Sequence, residues 1–178
     1  MLIKTHHSVS LDGFATTPDG RPAILAMPDF DPSKSHGIPE FIASCGAVAM
    51  GRTTFEPAVT NAWWPWPGKK VYVLSSRELP EGTPDHVIHV TGGPDALIER
   101  LRSDDIAGDV ELLGGATLIR ACWQRGAIDR LGFLLLPILF GEGLPLFPLE
   151  AGAAPAPLNL VASQAHPDGA LELLYERQ

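Results

Sequence analysis

The sequence has few cysteines, little basic charge and no long hydrophobic run. Among its 178 residues, Cys45 and Cys122 are the two cysteines, and neither belongs to a CxxC motif or a Cys/His cluster. Metal or redox chemistry therefore has little support, and buried reduced thiols are the simpler interpretation. The formal net charge of −8 argues against a nucleic-acid partner, because phosphate backbones need a basic protein face.

No apolar run approaches the ~20 residues that cross a bilayer. The first residues enter a strand-like segment without the basic and apolar regions of a secretion signal. We therefore expect a cytoplasmic protein with no membrane partner. The length predicts a single domain over residues 1–178, large enough for a full hydrophobic core.

Strand-like and helix-like runs alternate through the first two-thirds of the chain. This order predicts an α/β fold of three layers, in which helices cover both faces of a mixed, mostly parallel central sheet. The last two strands, around residues 166–169, are typical of a hairpin at one sheet edge. The predicted strands are Ile3–Val9, Ala47–Met50, Lys70–Leu74, Val87–Val90, Val110–Leu113, Leu131–Pro137, Leu158–Gln164 and Ala170–Glu176, and the predicted helices are Ile38–Ser44, Thr53–Val59, Asp95–Ser103 and Thr117–Arg125.

Two stretches have no regular pattern. Pro18–Ser35 is rich in Pro, Asp and Gly, and its length favours an active-site loop over a surface excursion. Ala151–Pro157 is rich in Ala and Pro and is typical of a solvated connection.

The run from Leu112 to Leu118 is an apolar strand that passes through Gly114 and Gly115 directly into a helix. Glycines let the backbone approach a ligand closely, and a helix start offers unpaired N–H groups and a positive dipole end. The pattern predicts a pyrophosphate site. A plain tight turn is the alternative, since the spacing is not that of GxGxxG.

Two other strand ends carry phosphate-binding residue types. Gly51, Arg52 and Thr53 follow one predicted strand, and Ser75-Ser76-Arg77 follow the next. Ligands of open α/β sheets bind at the carboxyl ends of strands, and guanidinium groups suit phosphate. Together with the Gly-Gly pair, these residues indicate one anion site. The alternative for each arginine is a solvated charge.

These motifs identify a family resemblance that spans about residues 3–176. The sequence resembles the dihydrofolate reductase superfamily in Met50–Glu56, Pro67–Arg77 and Leu113–Ala116. Within it, the sequence is most similar to the branch that includes the reductase domain of bacterial riboflavin biosynthesis. The residues that carry this closer similarity are Ser10-Leu11-Asp12-Gly13 and the segment Pro137–Phe147.

The resemblance implies an NADPH-dependent reductase with a dihydrofolate-reductase-like fold. By that similarity the nicotinamide would lie along the segment from Ser8 to Ala15. Two arginines near one ribose favour NADP over NAD, because they suit its extra phosphate. The adenosine side would be held by Gly51, Arg52, Thr53, Ser75, Ser76 and Arg77, and the pyrophosphate by Gly114, Gly115, Ala116 and Thr117.

The sequence departs from both relatives on the substrate side. The pterin-binding carboxylate and threonine of dihydrofolate reductases fall near Ser35 and near Leu136 or Pro137, and Lys69 replaces the arginine that holds the folate tail. The riboflavin enzymes carry a Gly-rich, Asp-Pro segment where this chain has residues 50–56. The alternative substrate carboxylates are Glu40, Asp29 and Asp31.

Three indoles stand close together in Trp63-Trp64-Pro65-Trp66. Trp63 and Trp64 are candidates for one wall of a pocket for a flat heterocycle, since such sites have aromatic linings. A lid or subunit-contact cluster is the equally weighted alternative.

Asp12 is the best candidate for proton supply, because the resemblance puts it beside the nicotinamide segment. Asp-Gly is also a common turn pair. His6 and His7 point to opposite faces of their strand, so at most one faces the pocket.

We therefore predict a reductase of a small nitrogen heterocycle, either a pyrimidine of the riboflavin type or a pterin. The alternative is a catalytically silent nucleotide-binding regulatory protein. A homodimer through Leu131–Phe147 is expected.

Overall fold

Eight strands and four α-helices follow one another along the described residues, which are 1–28, 36–61, 63–147 and 155–178 of the computed structural model. A short 3-10 helix precedes the first α-helix. The elements are β1 (Ile3–Ser10), the 3-10 helix (Ala23–Ala26), α1 (Ile38–Ala43), β2 (Cys45–Gly51), α2 (Arg52–Val59), β3 (Lys70–Leu74), β4 (Val87–Val90), α3 (Gly93–Ser103), β5 (Asp109–Gly114), α4 (Ala116–Gln124), β6 (Arg130–Leu136), β7 (Leu158–Ala165) and β8 (Leu171–Arg177).

The strands form one sheet in the order β4-β3-β2-β5-β1-β6-β8-β7. The pairs β4–β3, β3–β2, β2–β5 and β5–β1 are parallel, whereas β6–β8 and β8–β7 are antiparallel. The predicted α/β class with a mixed, mostly parallel sheet is therefore confirmed, and so is the terminal hairpin.

The chain forms two compact units. Unit 1 consists of Met1–Lys4 and Ala43–Ile128, and unit 2 consists of Thr5–Ile42 and Asp129–Gln178. The prediction of a single domain stays a prediction. No helix among the described residues is long and apolar enough to cross a membrane.

Helices cover both faces of the sheet in unit 1. Val71 and Val73 of β3 share a buried cluster with Phe55 of α2, so α2 lies on their face. Because side chains alternate along a strand, Tyr72 points to the opposite face. Its hydroxyl donates to Asp104 Oδ2 at 2.8 Å, immediately after α3.

Both cysteines are buried, as predicted. Cys122 belongs to the apolar stripe of α4, together with Leu118 and Ile119, which is the spacing of an amphipathic helix. Burial raises the pKa of the Cys122 thiol to about 11. The thiol is therefore protonated and unreactive at neutral pH.

The 3-10 helix Ala23–Ala26 lies inside the stretch Pro18–Ser35, for which the sequence predicted no regular structure, so that prediction was wrong here. Ala23 and Met27 pack against Leu134 and Leu136 of β6. Four residues make only one turn, too few for a periodic signal. Residues 29–35 of this stretch and most of the Ala/Pro-rich segment 151–157 lie outside the described residues.

Candidate active site

The carboxyl ends of three neighbouring strands in unit 1 lie side by side. Gly51 at the end of β2 is in register with Leu74 at the end of β3, and Met50 is in register with Gly114 at the end of β5. The three predicted phosphate-binding segments therefore begin at one level of the sheet. We call them the phosphate cradle: Gly51–Thr53, Ser75–Arg77 and Gly114–Thr117.

Gly114 and Gly115 lead from β5 into α4 with little space around them. Gly114 has a φ of +132°, a conformation that residues with a Cβ rarely adopt. A Cβ on Gly115 would lie 3.4 Å from the Thr54 hydroxyl of α2. The starts of α2 and α4 are thus neighbours, and each helix offers its first backbone N–H groups at this edge.

Neither of these two described helix starts contains an acidic residue in its first turn, and neither has a side-chain N-cap hydrogen bond. Acidic side chains and polar caps are the groups that usually satisfy a helix start. Their absence from α2 and α4 leaves the positive dipole ends available to an anion from outside.

Arg52 opens α2 and is held in place by its own helix. Its Nε donates to Glu56 Oε1 at 2.7 Å, and its side chain is 21% exposed. Its Nη1 is buried and has no hydrogen-bond partner among the residues that the structure describes. Buried donors normally have a partner, so this guanidinium fits the phosphate ligand that the sequence predicted.

Ser75 organises the turn after β3. Its buried Oγ donates to Arg77 O at 2.6 Å and accepts from Arg77 N at 3.0 Å. The Ser75 hydroxyl is therefore used inside the turn, while Ser76 and Arg77 are exposed. Direct cofactor contact by Ser75 stays a prediction, and the observed bonds favour a positioning role.

In unit 2, the Asp12 carboxylate binds the loop that contains Phe140 and Gly141. This carboxylate accepts from Ser10 Oγ at 2.6 Å, from Gly141 N at 2.7 Å and from Phe140 N at 3.2 Å. The bond from Ser10, followed by that from Gly141, holds the pKa of Asp12 below its ordinary value. The carboxylate is therefore ionised at neutral pH. Its predicted proton-donor role stays a prediction, and these contacts favour a positioning role.

The two motifs of the closer resemblance fold against each other. Leu11 N donates to Ile138 O at 2.9 Å, and Ala15 N donates to Leu144 O at 2.8 Å. A Cβ on Gly143 would lie 2.4 Å from Thr16 O, so only glycine fits this close approach. The segments Ser10–Gly13 and Pro137–Phe147 thus form one paired structure in unit 2.

Comparison with known protein families gives a match over nearly the whole chain. The model of the RibD C-terminal domain family matches residues 3–171. This chain belongs to that family. The resemblance that the sequence motifs predicted is therefore confirmed.

Similar proteins include a relative and two solved structures. Uncharacterized protein YwjB of Bacillus subtilis (strain 168) is 30% identical over 146 residues, 79% of this chain and 79% of that protein. The "Putative riboflavin biosynthesis protein" of Shewanella sp. PV-4 is 26% identical, with a TM-score of 0.84 over 100% of this chain and 99% of that one. Dihydrofolate reductase of Enterococcus faecalis, complexed with NADP(H), is 18% identical and shares the fold, with a TM-score of 0.66 over 99% and 96% of the two chains.

In this RibD C-terminal domain the indole cluster is largely structural. Trp66 is buried beside Phe55, and the Trp64 ring lies 5.3 Å from the Trp66 ring and 5.2 Å from His86. Trp63 is 68% exposed. The substrate role of Trp63 and Trp64 stays a prediction, as does the alternative of a lid or subunit-contact cluster, and the ring contacts of Trp64 show that it also packs against the core.

Of the predicted substrate carboxylates, Glu40 is the one that lies within the described residues. Glu40 is exposed in the first turn of α1, where a negative charge complements the helix dipole. Asp29, Asp31 and Ser35 lie outside the described residues. Ser8 is half-buried in β1, and both backbone groups of Ala15 are hydrogen-bonded, to Leu144 and to Ala23. Their contact with a nicotinamide stays a prediction.

Lys69, which takes the place of the tail-binding arginine, points into unit 1. Its Nζ donates to Cys45 O. Beside it, Glu111 of β5 is 7% exposed, and burial raises the pKa of Glu111 to about 7 against the attraction of Lys69 and Lys4. Sequence reasoning did not single out this buried carboxyl, because a charged residue inside a strand pattern reads as solvent-facing.

Sequence reasoning also missed a cluster of imidazoles and carboxylates in unit 2. We call it the histidine cluster; its members are His6, His36, His166, Asp168 and Glu172, which come from four separate segments. No group of three or more His, Cys, Asp or Glu within the described residues is arranged to hold a metal ion. No sequence signal connected these residues, because their spacing in the chain follows no motif.

Proposed function

We propose that this RibD C-terminal domain is an NADPH-dependent reductase of a small nitrogen heterocycle, either a pyrimidine of the riboflavin type or a pterin. Membership of the family and a fold shared with a dihydrofolate reductase support the reductase class. The cofactor would supply a hydride, and the protein would bind it and orient the substrate.

One observation carries the proposal: three phosphate-binding segments begin at one level of the sheet, and among them the buried Arg52 Nη1 has no partner within the described residues. A phosphate at this edge would satisfy that donor and the two helix starts together. Arg52 and Arg77 would hold the 2′-phosphate, while the amides of Gly115, Ala116 and Thr117 would face the pyrophosphate.

The proposal is tested by titrating the protein with NADPH and with NADH, followed by tryptophan fluorescence. We expect much tighter binding of NADPH. Replacement of Arg52 by Ala should weaken NADPH binding roughly 10- to 100-fold, because a hydrogen bond to a charged group contributes about 1.5–3 kcal/mol. NADH binding should change little.

Arg125→Ala is the matched control. Like Arg52, Arg125 donates its Nε to a carboxylate, Asp95, at 2.8 Å, but it lies at the far end of α4. This variant should bind NADPH like the wild type. Equal affinity of the wild type for NADPH and NADH, or an Arg52→Ala variant with undiminished binding, would contradict the proposal.

A catalytically silent NADP(H)-binding regulatory protein is the second candidate. It is favoured by Asp12, since that carboxylate is ionised and fully engaged in loop contacts. Oxidation of NADPH in the presence of dihydrofolate or an aminopyrimidine ribose phosphate separates the two candidates. Tight NADPH binding without turnover of any acceptor supports the silent protein.

We also propose a homodimer through residues 131–147. This segment carries Leu139, 71% exposed, and Leu144, 49% exposed, and exposed leucines in one segment favour a protein contact. Sedimentation velocity tests the proposal. Leu139→Glu should shift a dimer towards monomer, and a monomeric wild type would contradict it.

A further inference from the structure

The histidine cluster of unit 2 runs in the order Asp168, His36, His166, Glu172 and His6, from a partly exposed end to a buried one. At the exposed end, the Asp168 side chain is 39% exposed, and its Oδ2 lies 2.6 Å from His36 Nε2. The His36 ring lies 4.5 Å from the His166 ring. At the buried end, Glu172 approaches His166 through Oε2 at 3.7 Å and His6 through Oε1 at 3.4 Å.

His6 is fixed at the buried end of this cluster. Its side chain is 6% exposed, and its ring lies 5.2 Å from the Phe41 ring of α1. A Cβ on Gly132 of β6 would lie 2.9 Å from His6 Cδ2, so the glycine makes room for the imidazole. Ser8 follows two residues later on β1, on the same face of the strand.

Glu172 is fixed equally closely. A Cβ on Gly37 would lie 3.0 and 3.1 Å from its two carboxylate oxygens, so the backbone at the start of α1 packs against them. The Asp168 carboxylate is held by Ala170 N at 3.0 Å, within the turn between β7 and β8. The cluster is thus built on the framework of unit 2.

Two buried nitrogen atoms in the cluster, His36 Nδ1 and His166 Nε2, have no hydrogen-bond partner among the described residues. Such atoms usually bind a protein group or an ordered water. His166 Nε2 lies 3.7 Å from Glu172 Oε2, which exceeds hydrogen-bond length. Proton transfer between these two groups, and between the adjacent His36 and His166 rings, requires an imidazole to rotate or a water to bridge.

We propose that His6 supplies the proton of the reduction, and that Glu172, His166, His36 and Asp168 connect it with solvent. This inference rests on the proposed function and on its nicotinamide segment at Ser8–Ala15. Hydride addition to the carbon of a C=N bond leaves an electron pair on nitrogen. That nitrogen takes a proton from the His6 imidazolium, giving CH–NH and NADP⁺, and the cluster returns a proton from solvent.

Imidazoles are suited to this task, because their ordinary pKa lies near neutrality. Burial lowers the pKa of His6, and the negative Glu172 opposes the decrease. The titratable groups that face His6 are therefore Glu172 from β8 and His36, which precedes α1. Asp12, the candidate from sequence, has a pKa held below an ordinary value that is already far below neutrality, and its carboxylate is bound to a loop, so it is a poorer proton source.

The first test needs no substrate. In the full chain with 13C-labelled histidines, we assign the His6 signal with a His6→Gln variant and add either NADP⁺ or 2′,5′-ADP, which lacks the nicotinamide. NADP⁺ should shift the His6 signal and 2′,5′-ADP should not. Glu172→Gln should lower the pKa of His6 further, whereas Glu176→Gln, on the same strand but paired with Arg130, should leave it unchanged.

A second test uses turnover of whichever acceptor, dihydrofolate or an aminopyrimidine ribose phosphate, oxidises NADPH. His6→Gln should lower kcat roughly 100-fold, the usual contribution of a general acid, with unchanged NADPH affinity. Its rate should also lose the decline that the wild type shows as pH rises through the pKa of His6, which lies below 6.5. In Glu172→Gln that decline should move to lower pH.

The outcomes separate the two proposals. If neither NADPH nor NADP⁺ binds, the proposed function fails and the proton route fails with it. If NADP⁺ binds but leaves the His6 signal unmoved, or if His6→Gln keeps the wild-type kcat and pH profile, the proton route alone is overturned.

Discussion

Glu111 in unit 1 and His6 in unit 2 are both buried titratable groups, but burial shifts their pKa values in opposite directions. Burial raises the pKa of the Glu111 carboxyl to about 7 and lowers the pKa of the His6 imidazole. The physical cause is the same, since loss of hydration favours the neutral form of an acid and of a base alike. The interior of the fold thus disfavours charge, whereas the cradle at the strand ends gathers positive groups.

Phe55→Ala in unit 1 should cause the largest loss of unfolding free energy. Phe55 is fully buried against Trp66 and the β2–β3 surface, so its truncation should cost about 3–5 kcal/mol of unfolding free energy. Urea denaturation followed by tryptophan fluorescence measures the loss.

Trp63→Ala is the matched control for Phe55→Ala. Trp63 is 68% exposed, and its loss should stay within about 0.5 kcal/mol. If both variants lose the same stability, the structural reading of the indole cluster fails. The His6 signal in unit 2 should disappear at the same urea concentration as the tryptophan signal if the chain is one domain, as predicted.

The next largest effect concerns Glu111. Its folded pKa of about 7 lies above its ordinary value of 4.5, so the folded chain binds this proton more tightly than the unfolded chain. The free energy of unfolding should therefore fall by about 3 kcal/mol as pH rises from 4.5 to 7. Glu111→Gln should lack this decrease, measured by urea denaturation at pH 4, 6 and 8. A slope identical to that of the wild type would contradict the burial argument.

His6 should give the opposite slope. Its folded pKa lies below the ordinary 6.5, so the unfolded chain binds this proton more tightly and stability should fall as pH drops below 6.5. His6→Gln should resist acid better than the wild type in thermal unfolding at pH 5. His86→Gln, at an exposed histidine, should behave like the wild type. If His6→Gln and His86→Gln unfold at the same temperature at pH 5, the argument from the burial of His6 is contradicted.

The smallest effect is expected from Asp12→Asn. The variant keeps the shape of the side chain but loses the charge that attracts the amides of Phe140 and Gly141. We expect faster hydrogen exchange at these two amides and little change in global unfolding. Unchanged exchange would show that the carboxylate does not hold the loop.

The sequence predicted the elements well because periodicity and glycine punctuation are local signals. All eight strands and four α-helices begin and end within about two residues of their predicted bounds. The meeting of the three cradle segments at one sheet edge could be predicted equally well, because each segment directly follows an apolar strand. Parallel neighbours then bring such segments together without further information.

The histidine cluster could not be predicted in the same way. His6, His36, His166 and Glu172 meet only because β8 pairs with β6 and because His36 and Gly37 pack against His166 and Glu172. Long-range packing of this kind leaves no fixed spacing in the chain. Asp12 is a different case. The sequence motif identified this residue, but it could not show that the amides of Phe140 and Gly141 bind its carboxylate.

The register of the three strand ends has an evolutionary consequence. Apart from Arg52 and Arg77, the cradle presents mainly backbone amides and glycines whose positions depend on strand alignment, so most side chains around it are free to change while its shape persists. The Shewanella structure has a TM-score of 0.84 at 26% identity, so the fold persists while most residues differ. Loop insertions at the amino-terminal ends of β2, β3 and β5 should therefore accumulate between relatives, whereas insertions at the opposite ends should be eliminated by selection.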